Sequence, residues 1–488
     1  MTELKVLFAT SEIAPMIKTG GLADVSGALP AALRAIGVDV RVLVPGYRQV
    51  IGQLGQNEVV AVLDSLPGFP SARLLSGKMA NDTPLLVLDC PTLYLREGGP
   101  YQDTQGHDWP DNALRFGLLS RVAAILGSGD TPLEWYPDVV HCNDWQTGLT
   151  PAWLHFAPVA APSVFTVHNL AFQGIFPPET VSELHLPPSC FGVDGVEYYG
   201  KLSFMKAGLF YADHITTVSP NYAKEIQQET FGFGMQGLLT ERRDDLTGIL
   251  NGIDTDEWNP ATDCYLAKKF SSANMSGKAV NKQALQSRLG LVDDPNVPLL
   301  GVVSRFTHQK GLDLLLKIAP HLIKLPVQLA LLGSGEEKLQ RSAHDLARRY
   351  PGSIGAHIGF SEELSHLIEA GADMFVMPSR FEPCGLNQLY SQRYGTSPIV
   401  HAIGGLADSV VDCTPETLKD GSASGFTFHG MTAKNLFATI QRAVELYHDH
   451  DKWNVLRRNC MSKELGWQRS AEDYLGVYRK VLNQISPG

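Results

Sequence analysis

Val6-Leu7-Phe8-Ala9 leads into Lys18-Thr19-Gly20-Gly21-Leu22-Ala23-Asp24-Val25, and this apolar run, glycine turn and helix-compatible segment decide the fold. The pattern returns late in the chain. Pro398 to Val400 precedes Gly404-Gly405-Leu406-Ala407-Asp408-Ser409, so one chain uses one device twice. In each copy a strand feeds a tight glycine turn that opens a helix N-terminus. The free amides and the positive end of a helix favour an anion, and paired glycines let it approach the backbone. Only the first copy carries a lysine, Lys18; Ala402 and Ile403 precede the second, which suggests the same shape with different duties. The alternative, that the run is merely a helix entry, stands for both copies.

Working outward, the front half alternates short β-branched runs with helical patterns: Val6 to Ala9, Val38 to Val44, Leu85 to Leu88, Asp138 to His141, Ser163 to Val167 and His214 to Val218. Runs this short and apolar, bounded by Gly, Pro, Asp or Asn, are expected of buried parallel strands with crossover helices on both faces. A polar stretch begins around Gly248-Ile249-Leu250-Asn251-Gly252-Ile253-Asp254, and a second series follows: Pro298 to Ser304, Val327 to Gly333, Ile354 to Ile358, Asp373 to Pro378 and Pro398 to Val400. The expected fold is α/β, with two doubly wound Rossmann-like domains, 1–250 and 251–465, facing across a deep cleft. Trp467 to Gln484 places apolar and aromatic residues at helical spacing, and segment 466–488 is expected to be a helix packing back on the first domain.

Composition narrows the function classes. The 488 residues, 44% hydrophobic with 46 glycines and 30 prolines, describe a globular chain of two or three domains with many turns. A formal net charge of -11 lacks the broad basic face that nucleic acid requires, so a phosphorylated ligand must be held locally. Seven scattered cysteines include no Cys-x-x-Cys, and no apolar run approaches the ~18 residues that span a bilayer, so no membrane partner is expected and the cytoplasm is the expected compartment. No grouping of His, Asp and Glu has spacing that requires a metal, and no element of the sequence specifies an oligomeric state.

Three strand ends carry the chemistry. Ser304-Arg305-Phe306-Thr307-His308-Gln309-Lys310-Gly311 sets two cations five residues apart, Arg305 as a two-pronged donor and Lys310 as a compact charge. With Lys18 they suit a diphosphate and the charge that grows on it as a bond breaks; otherwise they are two surface cations. Arg380-Phe381-Glu382-Pro383-Cys384-Gly385-Leu386-Asn387 follows an apolar strand. There Glu382 accepts sugar hydroxyls or pairs with Arg380, and the amides near Gly385 and Leu386 face an anion. Cys384 has no base near it in sequence and reads as a small packed thiol within the donor site. In the front half, Thr166-Val167-His168-Asn169-Leu170-Ala171-Phe172-Gln173-Gly174 offers His168, Asn169 and Gln173 as hydroxyl readers, and His141-Cys142-Asn143-Asp144-Trp145 offers Asp144 as a hydroxyl acceptor or a helix cap.

Together these segments, Lys18–Val25, His141–Asp144, Thr166–Gly174, Val303–Gly311, Pro378–Leu389 and Gly404–Asp408, resemble the bacterial glycogen synthase and plant starch synthase family, glycosyltransferase family 5, in order and spacing along nearly the whole chain. The resemblance implies the GT-B fold and retaining transfer of glucose from ADP-glucose to the nonreducing 4-hydroxyl of an α-1,4-glucan, without a cofactor. It implies that Lys18, Gly20, Gly21, Arg305, Lys310, Gly385 and Leu386 hold the donor diphosphate, that Glu382 lies beside the donor glucose, and that His168 and Asp144 belong to the same active site. The first domain would serve the acceptor and the second the nucleotide sugar. Tyr390 stands where related GT-B enzymes carry a second glutamate, Phe360 where the family often has tyrosine beside the base, and His401, Ala402 and Ile403 where a basic residue and a threonine are usual. Stacking survives the phenylalanine. UDP-glucose is the rival donor. A glycosidase or phosphorylase would need a paired carboxylate or a cofactor lysine, and a non-catalytic glucan-binding protein would not need Glu382 and both cations.

Overall fold

The computed structural model describes residues 4–485, and it divides into two compact units, Met1–Asn251 with Trp467–Gly488, and Gly252–Gly466. The strands of the first unit are β1 (Leu4–Ala9), β2 (Val38–Pro45), β3 (Glu58–Leu63), β4 (Ala72–Lys78), β5 (Pro84–Asp89), β6 (Val139–Asn143), β7 (Ser163–Val167), β8 (Ile175–Phe176), β9 (Glu197–Tyr198), β10 (Lys201–Ser203), β11 (His214–Thr217) and β12 (Leu246–Gly248). Nine of them form one sheet in the order β12-β11-β7-β6-β1-β2-β5-β4-β3, parallel except for the β3–β4–β5 edge; β8, β10 and β9 make a small antiparallel sheet. Strand β1 lies in the middle, between β2 and β6, and every residue from Val6 to Ala9 is fully buried. Burial on both faces is why its sequence runs continuously apolar instead of alternating. The antiparallel edge was not expected: β3 exposes Val59 and Val62, and an edge strand with an open face lacks the unbroken apolar signature of the central ones.

In the second unit β13 (Leu299–Val303), β14 (Gln328–Gly333), β15 (Ile354–Ile358), β16 (Met374–Met377), β17 (Ser397–His401) and β18 (Phe426–Phe428) form a wholly parallel sheet in the order β15-β14-β13-β16-β17-β18. One apolar cluster packs Leu315, Ile318 and Leu322 of the helix Leu312–Leu322 with Leu436, Ile440 and Ala443 of the helix Ala433–Tyr447, and another sets Leu285, Leu364 and Ile368 against Phe375 and Val400. The order reverses about β13 and β16, so the loops after these two strands leave the sheet side by side, the usual place for a ligand in an open α/β sheet.

The helix Gln468–Ile485 belongs to the first unit. Its Tyr478 hydroxyl is hydrogen-bonded to Nδ1 of His141 at 2.8 Å, Ser470 donates to the Leu250 carbonyl at 2.6 Å, and Lys480 to the Asp244 carbonyl at 3.0 Å. His141, whose other nitrogen meets Thr166 Oγ1 at 2.6 Å, is therefore a packing residue that moors this helix; burial drives its pKa down to about 3.

Candidate active site

In the first unit, Asp144 and His168 lie at the carboxyl ends of the adjacent parallel strands β6 and β7. Asp144 holds φ 59° and ψ -179°, a region essentially reserved for glycine, while its carboxylate accepts the Trp145 amide at 3.2 Å. Burial first, and the nearby Glu12 charge further down, push its carboxyl up to about 8. The ring of His168 donates from Nε2 to Asn143 Oδ1 at 3.0 Å, and Asn143 is itself oriented by donating to the Ala9 carbonyl at 3.1 Å. That chain fixes the tautomer with the proton on Nε2 and a lone pair on Nδ1, and burial lowers the pKa to about 3, so the imidazole is neutral. Asn169 closes a local turn by accepting from the Ala171 amide at 3.1 Å. Gln173 uses its amide nitrogen to hold the Phe233 carbonyl at 2.9 Å.

The first glycine turn differs from the simple expectation. The carboxylate of Glu12, 3% exposed, accepts the Thr19 amide at 2.5 Å and the Gly20 amide at 3.2 Å, and also the Tyr101 hydroxyl. Two of the amides expected to face an anion are thus taken up inside the chain, and Gly20 contributes through the shape of the turn. Gly21 and Leu22 open the helix Gly21–Ala35, where first-turn amides lack partners within the helix. Lys18 pairs with Asp24 at 2.7 Å on the surface. Glu12 was not among the expected site residues. Its signal is an acid placed three residues beyond a fully buried strand, which has to find donors.

In the second unit the loops after β13 and β16 lock together. Nζ of Lys310 donates to Glu382 Oε2 at 2.6 Å, and Ser379 Oγ donates to the same oxygen at 2.9 Å. Arg380 does not pair with Glu382; it grips Asp313 with two bonds of 2.7 and 2.8 Å. Gly311 adopts φ +68°, and a Cβ there would run into the Pro378 carbonyl, so only glycine lets the Lys310 loop pass this close to the end of β16. Arg305 is exposed and makes no ion pair with any described residue, whereas the next side chain, Phe306, is fully buried and pins the loop to the core.

The second glycine turn braces the acid from the other side. Gly405 donates to the Glu382 and Pro383 carbonyls, both at 3.1 Å, and Gly404, at φ +47°, has no room for a Cβ against the Glu382 carbonyl. Its duty is to support the Glu382 loop, as the first turn is supported by Glu12. Cys384 is buried, with its backbone against Gly405. Gly385 is left-handed at φ +72° and leads through Leu386 into the helix Asn387–Arg393. His401 donates from Nδ1 to the Ser379 carbonyl at 2.8 Å, so the departure at this position ties β17 to the same loop. Tyr390 stacks on Trp258 at 3.7 Å, a contact that a glutamate could not make. Phe360 is 83% exposed on the loop after β15.

Two doubly wound units, each with its polar cluster at the carboxyl ends of parallel strands, define a glycosyltransferase of the GT-B class. The pattern described as "Starch synthase catalytic domain" matches residues 5–241, and "Glycosyl transferases group 1" matches residues 286–455. Glycogen synthase of Nitrosospira multiformis is 56% identical over 99% of this chain and 98% of its own length, and that of Nitrosomonas eutropha is 56% identical over 99% and 97%. Among solved structures, the catalytic domain of starch synthase IV from Arabidopsis thaliana, bound to ADP and acarbose, is similar with a TM-score of 0.88 and 31% identity, covering 99% of this chain and 100% of that one. The chain belongs to the glycogen synthase family.

Proposed function

We propose that this member of the family transfers glucose from ADP-glucose to the nonreducing 4-hydroxyl of an α-1,4-glucan with retention at the anomeric carbon. The observation that carries the reading is the Lys310–Glu382–Ser379 cluster, an acid fixed at the switch point of a nucleotide-binding type of sheet with a cation beside it. The Arabidopsis relative supports ADP as the nucleotide and a glucan-like ligand as the second substrate. Arg305, Lys310 and Lys18 are assigned to the leaving diphosphate, since fixed charges in a dry site act most where charge develops. Glu382 is assigned to the donor glucose. The neutral His168, with its Nδ1 lone pair, and Asp144 are assigned to sugar hydroxyls; a neutral imidazole can accept a hydroxyl proton, which an imidazolium cannot. Attack on the same face, assisted by the departing phosphate, needs no protein nucleophile and no cofactor. No described helix is long and apolar enough to cross a membrane, and all seven cysteines are free thiols, which supports the cytoplasm as the compartment.

The test is transfer of labelled glucose onto glycogen from ADP-glucose and, in parallel, from UDP-glucose, followed by β-amylase digestion. Digestible label chiefly from ADP-glucose is expected. Transfer from UDP-glucose alone would overturn the donor, and no incorporation by the folded protein would overturn the reaction.

A further inference from the structure

We propose that a cavity at the amino-terminal edge of the second unit's sheet, lined by Arg457 and Gln286, binds a small phosphate monoester that also carries hydroxyl groups. Its volume is about 550 Å³, and Lys278, Lys282 and Asp373 line it with them, beside an apolar wall of Met275, Val280 and Pro295. Asp373 stands at the entry to β16 and Pro295 ahead of β13, whereas Lys310 and Glu382 follow the carboxyl ends of the same two strands. The cavity is therefore separate from the donor cluster.

Most of the polar groups here have structural partners, and two buried atoms do not. Lys278, Lys282 and Gln286 follow one another four residues apart on one face of the helix Ser276–Arg288. Nζ of Lys278 is taken up by the Ala370 and Tyr394 carbonyls at 3.0 and 3.1 Å and by Thr396 Oγ1 at 2.6 Å. Lys282 pairs with Asp373 at 2.8 Å and donates to the Val297 carbonyl at 2.6 Å. Gln286, 1% exposed, donates from Nε2 to the Asp294 carbonyl at 3.0 Å and to Gln328 Oε1 at 2.8 Å, which fixes the amide orientation and leaves its buried Oε1 without a donor. Arg457, from the helix His450–Met461, has a buried Nε without an acceptor. Its Nη1 reaches only Asn454 Oδ1 at 3.4 Å, and no described carboxylate pairs with it. Buried groups of this kind ordinarily have partners, so an unmet donor and an unmet acceptor in one cavity point to a ligand that supplies both.

The charge left over is positive. Three cations, Lys278, Lys282 and Arg457, face two acids. Asp373 is matched by Lys282, and Asp293, on the exposed rim, accepts from Gln283 at 2.6 Å. Burial first and the Arg457 charge next lower the Lys278 pKa to about 7, against the smaller opposite pulls of Asp373 and Glu369. An anion beside Arg457 offsets this repulsion. A guanidinium with unused prongs suits two phosphate oxygens, and the Gln286 acceptor takes a hydroxyl of the same molecule. A bare anion would leave Gln286 unmet and most of the volume empty.

The full-length chain, titrated calorimetrically in a phosphate-free buffer with ribose 5-phosphate and with glucose 6-phosphate, should bind one equivalent of at least one of them. That binding should be at least about tenfold tighter than binding of inorganic phosphate. Arg457→Gln should weaken it by at least about tenfold, and so should Val280→Trp, which fills the cavity from a 42% exposed position and leaves every cation in place. Arg305→Ala should bind as the parent does, and saturating ADP should not displace the ester. The proposal is overturned by the absence of saturable binding of both esters, which would leave the cavity to water, or by inorganic phosphate binding as tightly as they do. It is also overturned by binding that both variants retain in full, or by binding that ADP or Arg305→Ala removes, which would place the ester in the donor cluster.

Discussion

Lys310 Nζ and Glu382 Oε2 are 2.6 Å apart, which joins the loops that leave the neighbouring parallel strands β13 and β16 into one charged unit. The cation and the acid assigned to opposite ends of the donor therefore position each other. Glu382 is the more buried partner, with 8% side-chain exposure against 20%. Its carboxylate relies on Lys310 and Ser379.

Lys310→Ala should lower turnover by about 10² to 10³-fold, the effect of losing one preorganised charge. It should also destabilise the fold by about 1–3 kcal/mol, because Glu382 is left buried without its cation. Arg305→Ala should lose comparable turnover with an unchanged Tm, since the exposed guanidinium has no ion-pair partner among the described residues. In a double-mutant cycle, the stability losses of Lys310→Ala and Glu382→Ala should sum to more than the loss of the pair together. Glu382→Ala should damage catalysis more than Cys384→Ser. Additive stability losses, or near-normal turnover of a folded Arg305→Ala, would remove these assignments.

Asp144 combines a glycine-like backbone with a carboxyl pushed up to about 8 by burial. Its pKa is raised in the folded chain, so between roughly pH 4 and pH 8 the native state holds a proton that the unfolded chain has released. Stability then falls as pH rises through that window, and the loss should be smaller in Asp144→Asn, which has nothing to titrate there. Urea unfolding of both proteins at pH 5 and pH 8 measures the difference. Asp144→Gly should be more stable than the parent by about 1 kcal/mol, as relief of a strain of about 1–3 kcal/mol exceeds the lost cap, and it should be nearly inactive. A destabilised Asp144→Gly would show that the backbone stores no strain.

The sheet strands and the strand-end clusters were legible because buried parallel strands are continuous apolar runs, whereas the partnerships within the clusters were not. Arg380 and Lys310 are both cations near Glu382 in the folded loop, and sequence proximity favours Arg380; the pairing goes to Lys310, 72 residues away, because Asp313 takes both prongs of Arg380. Register across β13 and β16 decides this, and register is a property of the assembled sheet. The two glycine turns were recognisable as turns, but the use of their amides was not: Glu12 and the Glu382 carbonyl fill them from elsewhere in the chain.

Glu12 holds the Lys18 turn through two amides and the Tyr101 hydroxyl, with burial raising its own pKa. Glu12→Ala should leave all three donors without this acceptor. Hydrogen exchange at the Thr19 and Gly20 amides should accelerate, and kcat/KM should fall by about 10²-fold as the turn loses its shape. Tyr101→Phe removes only one of the donors and should spare the exchange protection of both amides. If those amides exchange at parental rates in Glu12→Ala, the turn is held by its own backbone and Glu12 is not its brace.

Phe360 contributes nothing to the core at 83% exposure, so its replacement separates binding from folding cleanly. Gly359, at φ +137°, and Ser361, which caps the following helix by accepting the Leu364 amide at 3.3 Å, set the backbone on either side of the ring. If the ring stacks on the adenine, Phe360→Ala should raise KM for ADP-glucose and the inhibition constant of ADP together by about tenfold, within the roughly 1–3 kcal/mol that stacking supplies. The Tm and kcat should stay near the parental values, and Phe360→Tyr should restore both constants, because the stacking face survives while only a hydroxyl is added. An ADP inhibition constant that Phe360→Ala leaves unchanged would take this loop out of base recognition, and the preference between ADP-glucose and UDP-glucose would then have to arise from other residues of the second unit.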